Sequence, residues 1–110
     1  MTRRQAFQRV YDRGQRSSGP WVTVRWLAGP CPNGRVGFSI SRKAGKAVVR
    51  NRLRRRLREI VRQLARRGEW PGGTDVVLVA RPGAAQASFE QLQDNLERVM
   101  KWVRQARASE

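Results

Sequence analysis

The sequence predicts an α+β protein: a single-domain, two-layer α/β sandwich with the element order α-β-β-α-β-α around a small mixed sheet. Three observations lead there. Two long stretches, 47–67 and 88–106, carry apolar residues at helical spacing, and a shorter one precedes them at 3–13. Three short runs rich in β-branched and aromatic types lie between the helical stretches. The chain has 110 residues, the size of one ordinary domain of about 100–150 residues, so a second domain has no room.

The first helix is expected over residues 3–13, where Ala6, Phe7, Val10 and Tyr11 recur at helical spacing and Gly14 stops the run. Residues 21–28, Trp-Val-Thr-Val-Arg-Trp-Leu-Ala, read as a strand. The Gly- and Pro-rich stretch 29–34 reads as a turn. A second strand, 36–41, alternates Val36, Phe38 and Ile40 with Gly37, Ser39 and Ser41, and is expected to pair with the first as a hairpin. Gly45 reads as a turn residue in the link 42–45. The long helix then runs from Ala47 to Arg67, with Gly68 as its stop. After the 70–73 loop, residues 75–80 form a near-continuous apolar strand, the pattern of a strand covered on both faces. Ser88 and Gln91 make a capping box for the last helix, whose apolar stripe is Phe89, Leu92, Leu96, Val99, Met100 and Val103.

Charge is the strongest functional signal. The chain holds 24 Lys or Arg, 8 Asp or Glu and no His, a formal net charge of +16. Residues 1–67 hold 19 basic and 2 acidic side chains, whereas 68–110 hold 5 and 6; the segment 42–67 alone holds 12 basic residues against Glu59. Arginine dominates, and its guanidinium fork grips two phosphate oxygens at once and stacks on bases. A block of one sign in one segment points to a polyanion, and the alternative is a solvated face kept soluble by charge. Without His, the Ser-His and Cys-His nucleophile systems and His-ligated metals are excluded. Cys31 is the only cysteine, which suits a reducing compartment and reads as incidental. No stretch approaches the roughly 20 apolar residues of a membrane span. Met1 is not followed by an apolar signal-type segment, so a cytoplasmic, membrane-free protein is expected.

Within the long helix, Val49, Leu53, Leu57, Ile60 and Leu64 fall on one stripe that must face the sheet. Across from it, Asn51, Arg55, Arg58, Arg62 and Arg66 line up; Arg54 widens the strip, and Arg50, Arg52 and Arg56 flank it. Like charges at i,i+4 repel by a few tenths of a kcal/mol each, which burial of the apolar stripe, at roughly 1.5–3 kcal/mol per side chain, outweighs.

The run 46–59, Lys-Ala-Val-Val-Arg-Asn-Arg-Leu-Arg-Arg-Arg-Leu-Arg-Glu, resembles the signature of the protein subunit of bacterial ribonuclease P. Gly37 to Lys43 resembles the strand and basic loop that precede that signature in the family. Phe7, Val10, Tyr11 and Gly14 resemble its N-terminal helix, and Asp75 to Arg81 its last strand. The likeness covers nearly the whole chain in the family's order. Arg56 departs from it, standing where an aliphatic residue is usual, and Tyr11 stands where Phe is common.

The resemblance implies one RNA-binding domain, 1–110, in a ribonucleoprotein whose RNA subunit holds Mg²⁺ and cleaves precursor tRNA to its mature 5′ end. The protein would be noncatalytic and bind no cofactor itself. The family fold implies a left-handed βαβ crossover and a cleft for the substrate's 5′ leader between the sheet and the N-terminal helix. The implied partners are the catalytic RNA and the leader, with no obligate protein partner. The expected RNA-subunit contacts are Arg42, Lys43, Lys46, Arg50, Asn51, Arg52, Arg54, Arg55, Arg58 and Arg62.

The expected leader contacts are Phe7, Tyr11, Thr23, Arg25, Ser39 and Ser41. Phe7 and Tyr11 either stack on bases or anchor the helix. The polar residues follow if Val22, Val24 and Trp26 point to the helices with Val36, Phe38 and Ile40. Trp21, Trp26, Trp70 and Trp102 are expected to fill core edges. The alternative function is a ribosomal-type RNA-binding protein. A protein-only nuclease is disfavoured, because the basic half offers only Asp12 and Glu59 as carboxylates. A non-specific DNA compactor fits the charge but not the ordered segments.

Overall fold

The computed structural model describes residues 3–109. Its elements are α1 (Arg3–Arg13), β1 (Gln15–Ser17), β2 (Val22–Ala28), β3 (Arg35–Ile40), α2 (Ala47–Arg66), β4 (Thr74–Ala80) and α3 (Phe89–Ala108). Short 3₁₀ turns occupy Arg42–Ala44 and Pro82–Gln86. Every expected helix and strand is present, and β1 is an additional one. Its three residues are too few and too polar to show periodicity in the sequence.

The four strands form one mixed sheet in the order β1-β2-β4-β3. β4 runs antiparallel to β2 and parallel to β3, so the expected hairpin between β2 and β3 does not form: β4 lies between them. The reason is burial. Val76, Val77 and Leu78 are all at most 2% exposed, and only a central strand covers both faces of such a run. The 29–34 turn instead straddles the start of β4, where Gly29 N–H donates to Gly73 O at 2.9 Å and Gly73 N–H donates to Pro32 O at 2.8 Å. Beside it, Arg35 grips the buried Asp75 with two bonds, Nε to Oδ1 at 3.0 Å and Nη2 to Oδ2 at 2.7 Å. That hydrogen-bonded carboxylate raises the pKa of Arg35 above its ordinary value against the opposing pull of desolvation.

Register sorts the two faces. Leu78 lies opposite Val24 and Phe38, and Val76 opposite Trp26 and Val36. This is the expected apolar face, and α2 and α3 cover it with Leu53, Leu57, Ile60, Leu64, Leu92, Leu96, Val99, Met100 and Val103. Val77, flanked by Arg25 and Gly37, points the other way with Val79, Thr23 and Ser39. α1 packs on that second face, burying Ala6 and Val10.

Helix ends follow their local chemistry. Ser88 Oγ accepts from Gln91 N–H at 3.1 Å and Ser88 N–H donates to Gln91 Oε1 at 2.8 Å, the complete capping box. α2 ends at Gly68, whose φ of 71° lets Glu69 N–H reach back to Leu64 O at 2.8 Å. Three of the four tryptophans pack against or within the core as expected. Trp102 does not: it is 58% exposed, because its place on α3 falls outside the stripe that faces the sheet.

Candidate nucleic-acid interface

The sequence-predicted cationic residues begin in the 3₁₀ turn after β3. Arg42 and Lys43 are exposed there, and Lys46 is exposed at the N-cap of α2. Ser41 sets the turn by accepting the Lys43 N–H on its Oγ at 3.2 Å. Ser41 is thereby a cap beyond the end of β3, not a member of the sheet face on which the alternation had placed it. Gly45 ends the turn at φ 139°, a conformation that favours glycine.

α2 then fans its arginines over three directions. Asn51, Arg52, Arg55, Arg58 and Arg62 are exposed, and Arg50 and Arg54 are half-buried. Arg54 Nη1 donates to Asn51 Oδ1 at 3.1 Å, which ties the two side chains together. Arg62 meets Glu59 loosely at 3.7 Å. Arg56 is half-buried and its Nη1 donates to Ala87 O at 3.5 Å. Among the described residues, none of Arg42, Lys43, Lys46, Arg50, Arg52, Arg54, Arg55 and Arg58 is in an ion pair. The surface is therefore uncompensated positive charge held on a rigid helix.

On the flank toward β3, Arg54 and Arg58 turn into a cleft of about 340 Å³ whose other walls are Phe7, Val36, Gly37 and Phe38. The Arg58 guanidinium lies over the Phe38 ring, 5.9 Å from its centroid. Phe7 closes the cleft from the α1 side, and its ring lies so close to Gly37 that any side chain at 37 would collide with it. Phe7 continues into an apolar concavity on α1 shared with Arg4, Gln8 and Tyr11. The Tyr11 ring is stacked by Arg25, whose guanidinium is 5.0 Å from the ring centroid.

The structure thus brings Phe7, Tyr11 and Arg25 together, with Ser39 half-buried farther along the same sheet face. It does not bring Thr23 to the surface, for Thr23 is 8% exposed on the face that α1 covers. Sequence reasoning missed Val36 and Phe38 as cleft walls and treated Arg54 and Arg58 only as part of the helix face. Nothing in the alternation of β3 shows that it is an edge strand, so no sequence signal could have found this junction.

Several carboxylates among the described residues are already paired with arginine. Asp75 is committed to Arg35, and Glu69 and Glu97 both face Arg67. Among the described residues, no three His, Cys, Asp or Glu side chains come together. No helix among them is long and apolar enough to cross a membrane.

Comparison with known proteins places these features in a family. The sequence model of the Ribonuclease P family matches residues 1–104. The ribonuclease P protein component of Thermus oshimai is 47% identical over 96 residues, covering 87% of this chain and 58% of its own length. That of Syntrophomonas wolfei is 37% identical over 95 residues, covering 86% of this chain and 78% of its own. The chain therefore spans little more than half the length of the Thermus relatives. Among solved structures, the RNase P protein from Thermotoga maritima superposes with a TM-score of 0.82 at 26% identity, over 93% of this chain and 94% of that one. The Staphylococcus aureus RNase P protein gives 0.78 at 28% identity, over 94% and 93%.

Proposed function

The chain belongs to the ribonuclease P protein family, and from that premise we propose that it is the protein subunit of a ribonuclease P ribonucleoprotein. It binds the catalytic RNA and the 5′ leader of precursor tRNA, and so assists endonucleolytic removal of the leader. The RNA subunit would hold the Mg²⁺ that supports cleavage, and this chain would bind and orient the RNA around it.

The observation that carries the reading is the junction at Arg54 and Arg58. There, uncompensated guanidiniums meet an aromatic-walled cleft. Folded RNA and a single strand ask for different surfaces. A folded RNA presents phosphates, which the outer α2 face and the 42–46 turn neutralise as point charges and forks. A single strand presents unstacked bases, for which Phe7 and Tyr11 supply ring faces worth roughly 1–3 kcal/mol per base. Arg25, Arg54 and Arg58 stand beside those rings and can hold the strand's phosphates. Only the precursor carries a leader, so the cleft favours substrate over product and helps mature tRNA leave. The free thiol of Cys31 suits a reducing compartment, in keeping with work in the cytoplasm.

The test is reconstitution with the catalytic RNA. Phe7→Ala is expected to weaken precursor binding about 5–150-fold, the range of one lost stacking contact, and to spare mature tRNA. Equal losses for both tRNAs would remove the leader from the reading. Cleavage by RNA-free protein, or indifference of the catalytic RNA to the protein, would overturn the whole of it. Co-purification with ribosomal RNA alone would favour the ribosomal-type alternative.

A further inference from the structure

Across the sheet from the β3 cleft, at the β1–β2 edge, lies a second concave site that the basic surface does not use. It is a pocket of about 310 Å³ between the 18–21 loop and one face of α3, the lower end of small-molecule sites. Trp21 and Trp102 supply its ring surfaces, and Gln91, Asp94 and Arg98 its polar rim. Its floor is fixed. Asn95 is 3% exposed; its Oδ1 accepts from Trp21 N–H at 2.8 Å and Val22 N–H at 2.9 Å, and its Nδ2 donates to Val22 O at 3.1 Å. Gly19 abuts the same amide, with no room for a side chain. One buried side chain therefore locks the loop wall to the helix wall, and the pocket is preorganised.

Two features of this wall are left open to a ligand. Trp102 leaves more than half of a large indole in water, 58% exposed, which forfeits the burial that normally makes tryptophan worth keeping. Asp94, one of only two charged residues lining the pocket, is exposed and has no ion-pair partner among the described residues. We propose that the pocket binds a single unpaired guanine base, stacked on Trp102 and read by the Asp94 carboxylate.

The chemistry selects the ligand. Every base offers a π-face to an indole, so stacking gives affinity without preference. A carboxylate only accepts hydrogen bonds, and its two oxygens match two adjacent donors. Guanine presents that pair, its ring N1–H and exocyclic amine, whereas the ring nitrogen on the same edge of adenine or cytosine is an acceptor and repels a carboxylate. A small, half-open pocket walled by the indoles of Trp21 and Trp102 is the size of one flat group rather than of an extended peptide. Asp94 and Arg98 nearly cancel, so binding here lacks the phosphate attraction of α2 and is expected to be almost independent of salt. The assignment does not rest on the ribonuclease P reading. The guanine can come from a free nucleotide or from a base extruded by RNA.

The protein is titrated calorimetrically with the nucleosides guanosine, adenosine, cytidine and uridine, which carry no phosphate for α2 to grip, at 50 and 200 mM salt. It is also titrated with a uridine oligomer carrying one guanine and with the all-uridine control. Guanosine is expected to bind tightest, with little change between the two salts. Trp102→Ala and Asp94→Asn should each weaken it about tenfold or more, and Glu90→Gln, the same charge change elsewhere on α3, should not. If Trp102→Ala also abolishes the guanine-dependent advantage of the oligomer, the base comes from RNA; if only the nucleoside responds, the source is a free nucleoside or nucleotide. Both results support the site. Equal binding of all four nucleosides, no binding, or binding indifferent to Trp102→Ala and Asp94→Asn would overturn it. So would a Trp102→Ala effect confined to the sedimentation behaviour of the protein, which would mark the face as a protein contact.

Discussion

α2 and α3 are near twins in scaffold and opposites in surface. Each spans 20 residues and buries an apolar stripe against the same sheet face. α3 carries three acidic and four basic side chains, and it opens with a complete capping box. α2 carries eight arginines and one glutamate, with no acidic residue in its first turn and no side-chain cap. By every local rule α3 is the better helix: its cap satisfies orphan N–H groups, and Glu90 complements the positive end of its dipole. α2 depends on its buried stripe and its Gly68 turn, and keeps an outer face of uncompensated positive charge. A helix that breaks local rules on one face is a candidate place for a ligand.

The largest expected difference between the two helices is in their response to salt. With about 6–10 phosphate contacts through α2 and the 42–46 turn, affinity for the catalytic RNA should fall roughly 10³–10⁵-fold between 50 and 200 mM salt. A flat response, measured by filter binding, would break the contrast. Next is the buried side. Leu57→Ala, at a fully buried position in α2, should cost about 2–5 kcal/mol in denaturant unfolding. A smaller loss would mean that α2 is not held by its core stripe.

Ser88→Ala removes the cap of α3 and should cost about 0.5–2 kcal/mol, whereas Lys46→Ala, at the cap position of α2 where no side-chain bond exists, should cost no more than a few tenths by the same measurement. The smallest effect is the most diagnostic. Arg55→Ala should leave stability unchanged or raise it by a few tenths of a kcal/mol, through relief of like-charge repulsion, while weakening RNA binding. A clear loss of thermal stability would show Arg55 to be structural.

Much of this was legible in the residues. The apolar stripes of both long helices, the Ser88–Gln91 cap, the Gly68 stop and the sorting of β2 and β3 into an apolar and a mixed face all follow from periods of 3.6 and 2. The cationic segment was legible too, since charge needs no fold to be counted. The cleft was legible only in part. Phe7 and Tyr11 share one concavity on α1, and Arg25 lies over the Tyr11 ring. The assignment of Ser41 to the sheet face failed because β3 stops one residue earlier and its hydroxyl caps a turn. Thr23 was assigned by alternation alone, and alternation does not say that α1 lies on that face.

By itself the chain determined where helices and strands form, which side of each is apolar, and that one half carries the cationic charge. Those properties are local, set by side-chain spacing along a few turns. Only the tertiary structure decided that β4 separates β2 from β3, that β3 is therefore an edge, and that Arg54 and Arg58 stand over Phe38 facing Phe7. It also decided that Trp102 remains in water above a pocket pinned by Asn95. Strand order and helix placement are settled by competition among distant segments for the same buried area. The bond from Asn95 to Trp21 spans 74 residues, and no window of local sequence holds both ends.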